Sequence, residues 1–294
     1  MFRAQLRKMI KIKPNNLIKK CLLVLAVIGI LGSSAYLVYD LIWTPYSVKK
    51  QSQLFTTSVP DDYSREDISV VQDEYAKIKS RYKDFAGKLI IKGLEIDFPV
   101  VQGNDNSYYL KHNIDGEEDK HGTLFADYRN SLVRLNDNTI IYGHNMLDGT
   151  QFGMLNMYKS IDTYKACPVI TFSTAHKNYK WKVFAAFLIN TEPKHDNGYV
   201  FNYLRTDFST DDEFYDFYNE VMERSYFITD VEVTPEDKIL TLSTCSLLLD
   251  DSRFVVMARL VRDGESENVD VSATRKNVNQ RFPAAWCDEN NQPY

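Results

Sequence analysis

Hydrophobic and polar positions along this chain follow several patterns in succession. From Cys21 to Tyr39 the sequence CLLVLAVIGILGSSAYLVY holds no charged residue. At about 1.5 Å per residue, a helix of that length crosses a hydrocarbon layer of roughly 30 Å. Residues 40–62 are polar and irregular, with Pro45, Pro60 and scattered serine and threonine, and read as a stalk. Ser64 and Asp67 then form a capping box ahead of Ile68, Val71, Tyr75, Ile78, Tyr82 and Phe85, whose alternating spacing of three and four predicts a helix with one buried face.

From Gly87 the period changes. KLIIKGLEIDFPVVQ reads as two short strands joined at Gly93, and DNTIIYGH, CPVITFST, YKWKVFAAFLI, KILTLSTC and RFVVMARLV are further strands rich in β-branched and aromatic residues. One long helix interrupts them, with Thr210 and Glu213 as a capping pair and Phe214, Phe217, Tyr218, Val221 and Met222 as its buried face. Seven or more strands, helices outside them and no regular strand–helix alternation predict a mainly β fold, a closed barrel rather than a parallel α/β sheet. The tail from Gly264 is polar until RFPAAW at 281–286, which is too apolar for a free end and is expected to dock back. The predicted divisions are a basic segment 1–20, a transmembrane segment 21–39, a linker 40–63, a folded domain 64–262 and a tail 263–294.

Charge changes the picture at the N-terminus. Arg3, Arg7, Lys8, Lys11, Lys13, Lys19 and Lys20 precede residue 21 with no acid among them, so the formal net charge of −5 becomes −12 once those seven are set apart. An acidic remainder argues against a nucleic-acid partner. Seven cations ahead of an apolar span place the N-terminus in the cytoplasm and everything after Asp40 outside, as a single-pass type II membrane protein held in lipid by its anchor. Gly32, Ser33, Ser34 and Ala35 would also suit a cleaved signal peptide. The apolar run continues to Trp43, however, longer than a signal core of roughly 7–15 residues, which favours a retained anchor.

Of four cysteines, Cys21 falls in the span, leaving Cys167, Cys245 and Cys287 outside. An odd number in an oxidising exterior leaves at least one thiol over. A Cys167–Cys287 disulfide stays an open option, and no CxxC or HxxxH spacing suggests a structural metal, so neither metal nor cofactor is expected.

Cys245 ends KILTLSTC, and Arg253 begins RFVVMARLV after seven intervening residues. Strands joined by so short a connection pair antiparallel, which brings thiol and guanidinium to one rim. There a fixed cation stabilises a thiolate, and also the oxyanion formed when that thiolate attacks a carbonyl. The competing reading is a buried core cysteine and a surface ion pair from Arg253 to Asp250 or Asp251. His144 favours the reactive reading, because it stands at the end of a strand before a polar loop, where imidazole can accept and return a proton. His112, His121, His176 and His195 lie in polar stretches and read as solvated loop residues.

TLSTC at 241–245, RFVV from Arg253, YGHNM at 142–146 and the run YYLKHNIDGEEDKHGTLFADYRN from Tyr108 to Asn130 together resemble a class B sortase, in order and spacing over roughly residues 64–262. The resemblance implies an eight-stranded barrel with an N-terminal helix and a helix, here within Thr210–Tyr226, in the connection between strands six and seven. It places His144, Cys245 and Arg253 at the three catalytic positions. It implies cleavage of a secreted protein's sorting motif after a threonine at its fourth place, through a thioacyl enzyme resolved by an amine of a peptidoglycan precursor or a pilus subunit. Ser243 and Thr244 would shape the substrate groove, although packed strand positions account for them equally well. The tail past Arg262 is longer than the family pattern, and no carboxylate can be assigned to orient His144.

Acidic runs at Asp115–Asp119 and Asp211–Glu213 could suggest calcium, which some sortases of another class use, but solvated loop charge and helix-start charge explain them without it. Two other functions compete. An exported L,D-transpeptidase would carry a histidine and glycine shortly before its cysteine, which KILTLSTC lacks. A membrane-tethered adhesin or scaffold would leave Cys245 unreactive.

Overall fold

The computed structural model describes residues 16–53 and 71–294. The chain divides into two units, residues 1–48 and 49–294. At the N-terminal end, α1 (Asn16–Val38) leads into a π-helical turn at Tyr39–Trp43, after which α2 (Thr44–Gln53) continues, the first unit ending within it at Val48. Residues 40–53 are therefore helical rather than irregular. Pro45 has no N–H to offer the carbonyl four residues back, and the ladder adjusts by widening: Thr44 N–H bonds the carbonyl of Tyr39, five residues away. Among the described residues, one helix is long and apolar enough to cross a membrane.

The second unit is a closed eight-stranded barrel. Its strands are β1 (Phe85–Ile91), β2 (Ile96–Val101), β3 (Leu124–Ala126), β4 (Asn138–Tyr142), β5 (Val169–Thr174), β6 (Lys180–Asn190), β8 (Ile239–Cys245) and β9 (Ser252–Leu260), closed in the order β1-β2-β3-β4-β8-β9-β6-β5. Two pairs, β2–β3 and β4–β8, are parallel and the others antiparallel. A short β7 (Phe227–Ile228) pairs outside the barrel with β10 (Arg275–Lys276). Gly87 is required where β1 passes β5, since a Cβ there would meet the Ser173 carbonyl oxygen at 2.2 Å.

Helix α3 (Asp73–Arg81) is shorter than the stripe predicts. Ser64, Asp67 and Ile68 lie outside the described residues. Tyr82 already has extended backbone, and Phe85 begins β1, paired with Val101. The spacing misleads because side chains on either side of the turn share one core: the Tyr75 and Phe85 rings lie 5.3 Å apart, both fully buried. A short α4 (Ile161–Ala166) precedes β5.

The connection between the sixth and seventh barrel strands carries α5 (Asp211–Arg224). Thr210 Oγ1 accepts from Glu213 N–H at 3.2 Å, the Glu213 carboxylate accepts from Ser209 N–H at 2.9 Å, and Asp211, Asp212 and Glu213 occupy the positive first turn. Phe214, Phe217 and Val221 are buried against β6 and β9, with Tyr218 and Met222 partly so. Each such side chain stabilises the docked helix by about 1.5–3 kcal/mol. The tail ends in α6 (Ala284–Asn290), whose Trp286 stacks on Phe282 at 3.8 Å.

Candidate active site

Strand register and one shared cavity bring the three candidate residues together. In the antiparallel β8–β9 ladder Cys245 is the direct partner of Arg253. In the parallel β4–β8 ladder Tyr142 is level with Ser243, and Gly143 N–H still bonds the Ser243 carbonyl at 3.2 Å. His144 follows two residues after β4 ends at Tyr142, and Cys245 two residues after Ser243 in β8. All three line a cavity of about 660 Å³, together with Ser243 and Thr244.

Cys245, the last residue of β8, is exposed. Cys167 and Cys287 are buried and unpaired, and burial raises the pKa of both thiols, which keeps them protonated and unreactive. Arg253 donates to the Ser252 carbonyl at 3.0 Å. Among the described residues Arg253 forms no ion pair with Asp250 or Asp251, and Asp251 lies 3.5 Å from Lys194.

His144 is oriented by a backbone carbonyl. Its Nε2 lies 2.7 Å from the oxygen of Leu110. A carbonyl only accepts, so Nε2 carries the proton in the neutral ring and Nδ1 is the free base. The turn that presents Leu110 is braced by Thr123 N–H on the Tyr109 carbonyl at 3.0 Å. Gly122, at φ +58°, permits this approach, because a Cβ there would sit 2.3 Å from the Tyr109 oxygen.

Several residues of the site escape sequence reasoning. Tyr203, buried, shares a 2.9 Å hydrogen bond with the Ser243 hydroxyl. Burial raises its phenol pKa against the lowering effects of Ser243 and the nearby Arg253 cation. The hydroxyl of Thr244, a residue the sequence did single out, is buried and has no hydrogen-bond partner among the described residues. Asp127, fully buried, accepts from Arg129 at 2.8 and 2.7 Å, from Tyr142 Oη at 2.8 Å and from Asn106 Nδ2 at 2.9 Å, and so fixes two cavity-lining side chains. Burial alone would raise the carboxyl's pKa, but these donors hold it at about 2. Asp127 and Arg129 lie in the run Tyr108–Asn130 that carries the resemblance, but nothing in that run signals the network.

His121 is a correction. It is buried rather than solvated, with Nδ1 3.0 Å from Asp119 and Nε2 3.0 Å from Asp148. Burial alone would lower its pKa, but the flanking carboxylates raise it.

The sortase domain family matches residues 89–261. Sortase B of Listeria monocytogenes is 37% identical over 193 residues, covering 65% of this chain and 75% of that protein. Among solved structures, sortase B from B. anthracis in complex with AAEK1 superposes with a TM-score of 0.64 at 31% identity, covering 75% of this chain and 99% of that one. The Staphylococcus aureus sortase B–substrate complex gives a TM-score of 0.64 at 31% identity, covering 74% and 96%. With a barrel and site of this order, the chain belongs to the sortase family, class B, and is a cysteine transpeptidase of the kind that anchors proteins to the cell wall.

Proposed function

We propose that α1 holds this enzyme in the cell membrane with its barrel outside, and that Cys245, His144 and Arg253 cleave a sorting motif after threonine and pass the acyl group to an amine. The observation that carries this reading is the register that pairs Cys245 with Arg253 on an open cavity that His144 also lines. The Cys245 thiolate attacks the threonine carbonyl, and the Arg253 guanidinium stabilises the oxyanion. Protonated His144 gives its Nδ1 proton to the leaving amine as the C–N bond breaks. Neutral His144 then takes a proton from the incoming amine, which attacks the thioester and releases the thiolate. Ser243 and Thr244 line the groove that receives the motif. The acceptor is an amine of a peptidoglycan precursor or of a pilus subunit, and neither metal nor cofactor takes part.

A panel of quenched fluorescent peptides, each with threonine at the fourth place of its motif, tests this on the full-length chain in detergent. At least one should be cleaved after threonine, and adding triglycine should turn hydrolysis product into ligated product. Cleavage of no peptide in the panel would refute the reading.

A further inference from the structure

One side of the cavity is formed by residues 199–204, which run between β6 and α5 and contribute Val200, Phe201, Asn202, Tyr203 and Leu204 to its lining. This wall contains no strand or helix, so its position depends on neighbours. From the barrel side, Asn190 Nδ2 donates to the Tyr199 carbonyl at 2.8 Å and Arg129 Nη2 to the Leu204 carbonyl at 3.1 Å. From the other side the hold comes from the C-terminal tail, beyond the residues the family match covers.

Two tail groups converge on Asp196, whose side chain is 3% exposed: Arg281 Nη2 lies 3.2 Å away and Ala284 N–H donates at 3.1 Å. The Asp196 carbonyl in turn accepts from Tyr199 N–H at 2.8 Å, where the wall begins. The Arg281 guanidinium lies 5.3 Å from the centroid of the Tyr199 ring, and its backbone N–H donates to the Glu223 carbonyl at 2.8 Å. The tail is fastened to the end of α5 by Asn277 Nδ2 on the Ser225 carbonyl at 2.9 Å and by Gln280 Nε2 on the Arg224 carbonyl at 2.8 Å. Arg224 itself lies 5.1 Å from the centroid of Phe201.

We propose that residues 275–290 form a strap that sets the position of the 199–204 wall, with Arg281 as its main positioning residue, so that the tail contributes to which peptides the cleft accepts. The proposal rests on reading the cavity as the sorting-peptide cleft. Removing Arg281 leaves a buried carboxylate without its cation and releases one face of Tyr199, while Cys245 and Arg253 keep their strands and His144 its bond to the Leu110 carbonyl.

The test compares wild type, Arg281→Ala, Arg281→Gln and Arg281→Lys as full-length chains in detergent. The first readout is hydrogen exchange in peptides spanning 196–204, expected to be about 10-fold faster in the Ala and Gln variants. The second is steady-state kinetics on the threonine-containing sorting peptide that wild type cleaves fastest, where KM should rise roughly 5- to 10-fold with kcat within about twofold. Arg281→Lys, which keeps the charge, should recover much of both effects, and Arg281→Gln serves if the alanine variant does not fold. Unchanged exchange in 196–204 overturns the proposal, as does faster exchange with unchanged KM, or a fall in kcat alone. If wild type cleaves no sorting peptide, the catalytic reading fails, and the exchange result still decides whether the strap holds the wall.

Discussion

Cys245 and Arg253 are direct cross-strand partners at the rim end of the β8–β9 ladder, one the last residue of its strand and the other the second of the next. Opposite residues of an antiparallel pair project to the same face about 5 Å apart at Cβ, so the backbone alone brings guanidinium and thiol into range. If the guanidinium stabilises the oxyanion, Arg253→Ala should lower kcat by about 10²-fold or more, the usual scale for losing such a donor. Arg253→Lys should be nearly as damaging, because an ammonium cannot reproduce a planar fork of donors. KM should change less than kcat, since the charge develops mainly in the transition state. Steady-state kinetics of both variants on one cleaved peptide is the check; near wild-type kcat for Arg253→Ala would remove it from the mechanism.

The cysteines separate by exposure. Cys245→Ala should abolish turnover and leave the thermal transition in place, because its side chain is exposed at a strand end. Cys167→Ala and Cys287→Ala should stay active but lose some stability, since each is buried. Activity measured beside thermal melts for the three variants checks this, and appreciable cleavage by Cys245→Ala would mean that the nucleophile lies elsewhere.

Asp127 makes the site acid-sensitive. With its carboxyl held at about 2 against an ordinary 3.8, it contributes about 2 kcal/mol of stability that is fully present above pH 4 and is lost as the pH falls towards 2. Asp127→Asn should be less stable than wild type by about that amount at pH 7, and the gap should close below pH 4. Denaturant titrations at pH 7 and pH 3 measure both values; a gap that stays constant across the range would show that the charge is not what stabilises the network.

Topology follows from the basic segment ahead of α1. Protease added to intact cells should digest the barrel unit, beyond residue 53, and spare an epitope tag at the N-terminus. Protection of the barrel unit, with loss of the tag, would reverse the orientation.

Much of this was legible in the chain, for identifiable reasons. The strands holding Cys245 and Arg253 are long, rich in β-branched residues and joined by a short connection, so one pairing and one rim were available to them. Strand β3, with three residues, and β7 and β10, with two each, are too short for a period to show. His121 looked solvated because its neighbours are polar, while the Asp148 that closes over it is 27 positions away. Tyr203 meets Ser243 across 40 positions, and Leu110 meets His144 across 34 through its main chain, where no side-chain identity can signal the contact. The helix stripe ran on to Phe85 because packing against a common core imposes similar spacing on both sides of a turn.

The central claim is that Cys245 carries an acyl group between a sorting motif and an amine. Intact-mass spectrometry of the full-length enzyme, quenched in acid during turnover of its cleaved peptide without added amine, should show an adduct equal to the peptide acyl fragment ending in threonine. Proteolysis should place that adduct on Cys245, and triglycine added before the quench should discharge it as ligated product. An adduct on another residue, or cleavage at full rate by Cys245→Ala, would contradict the account.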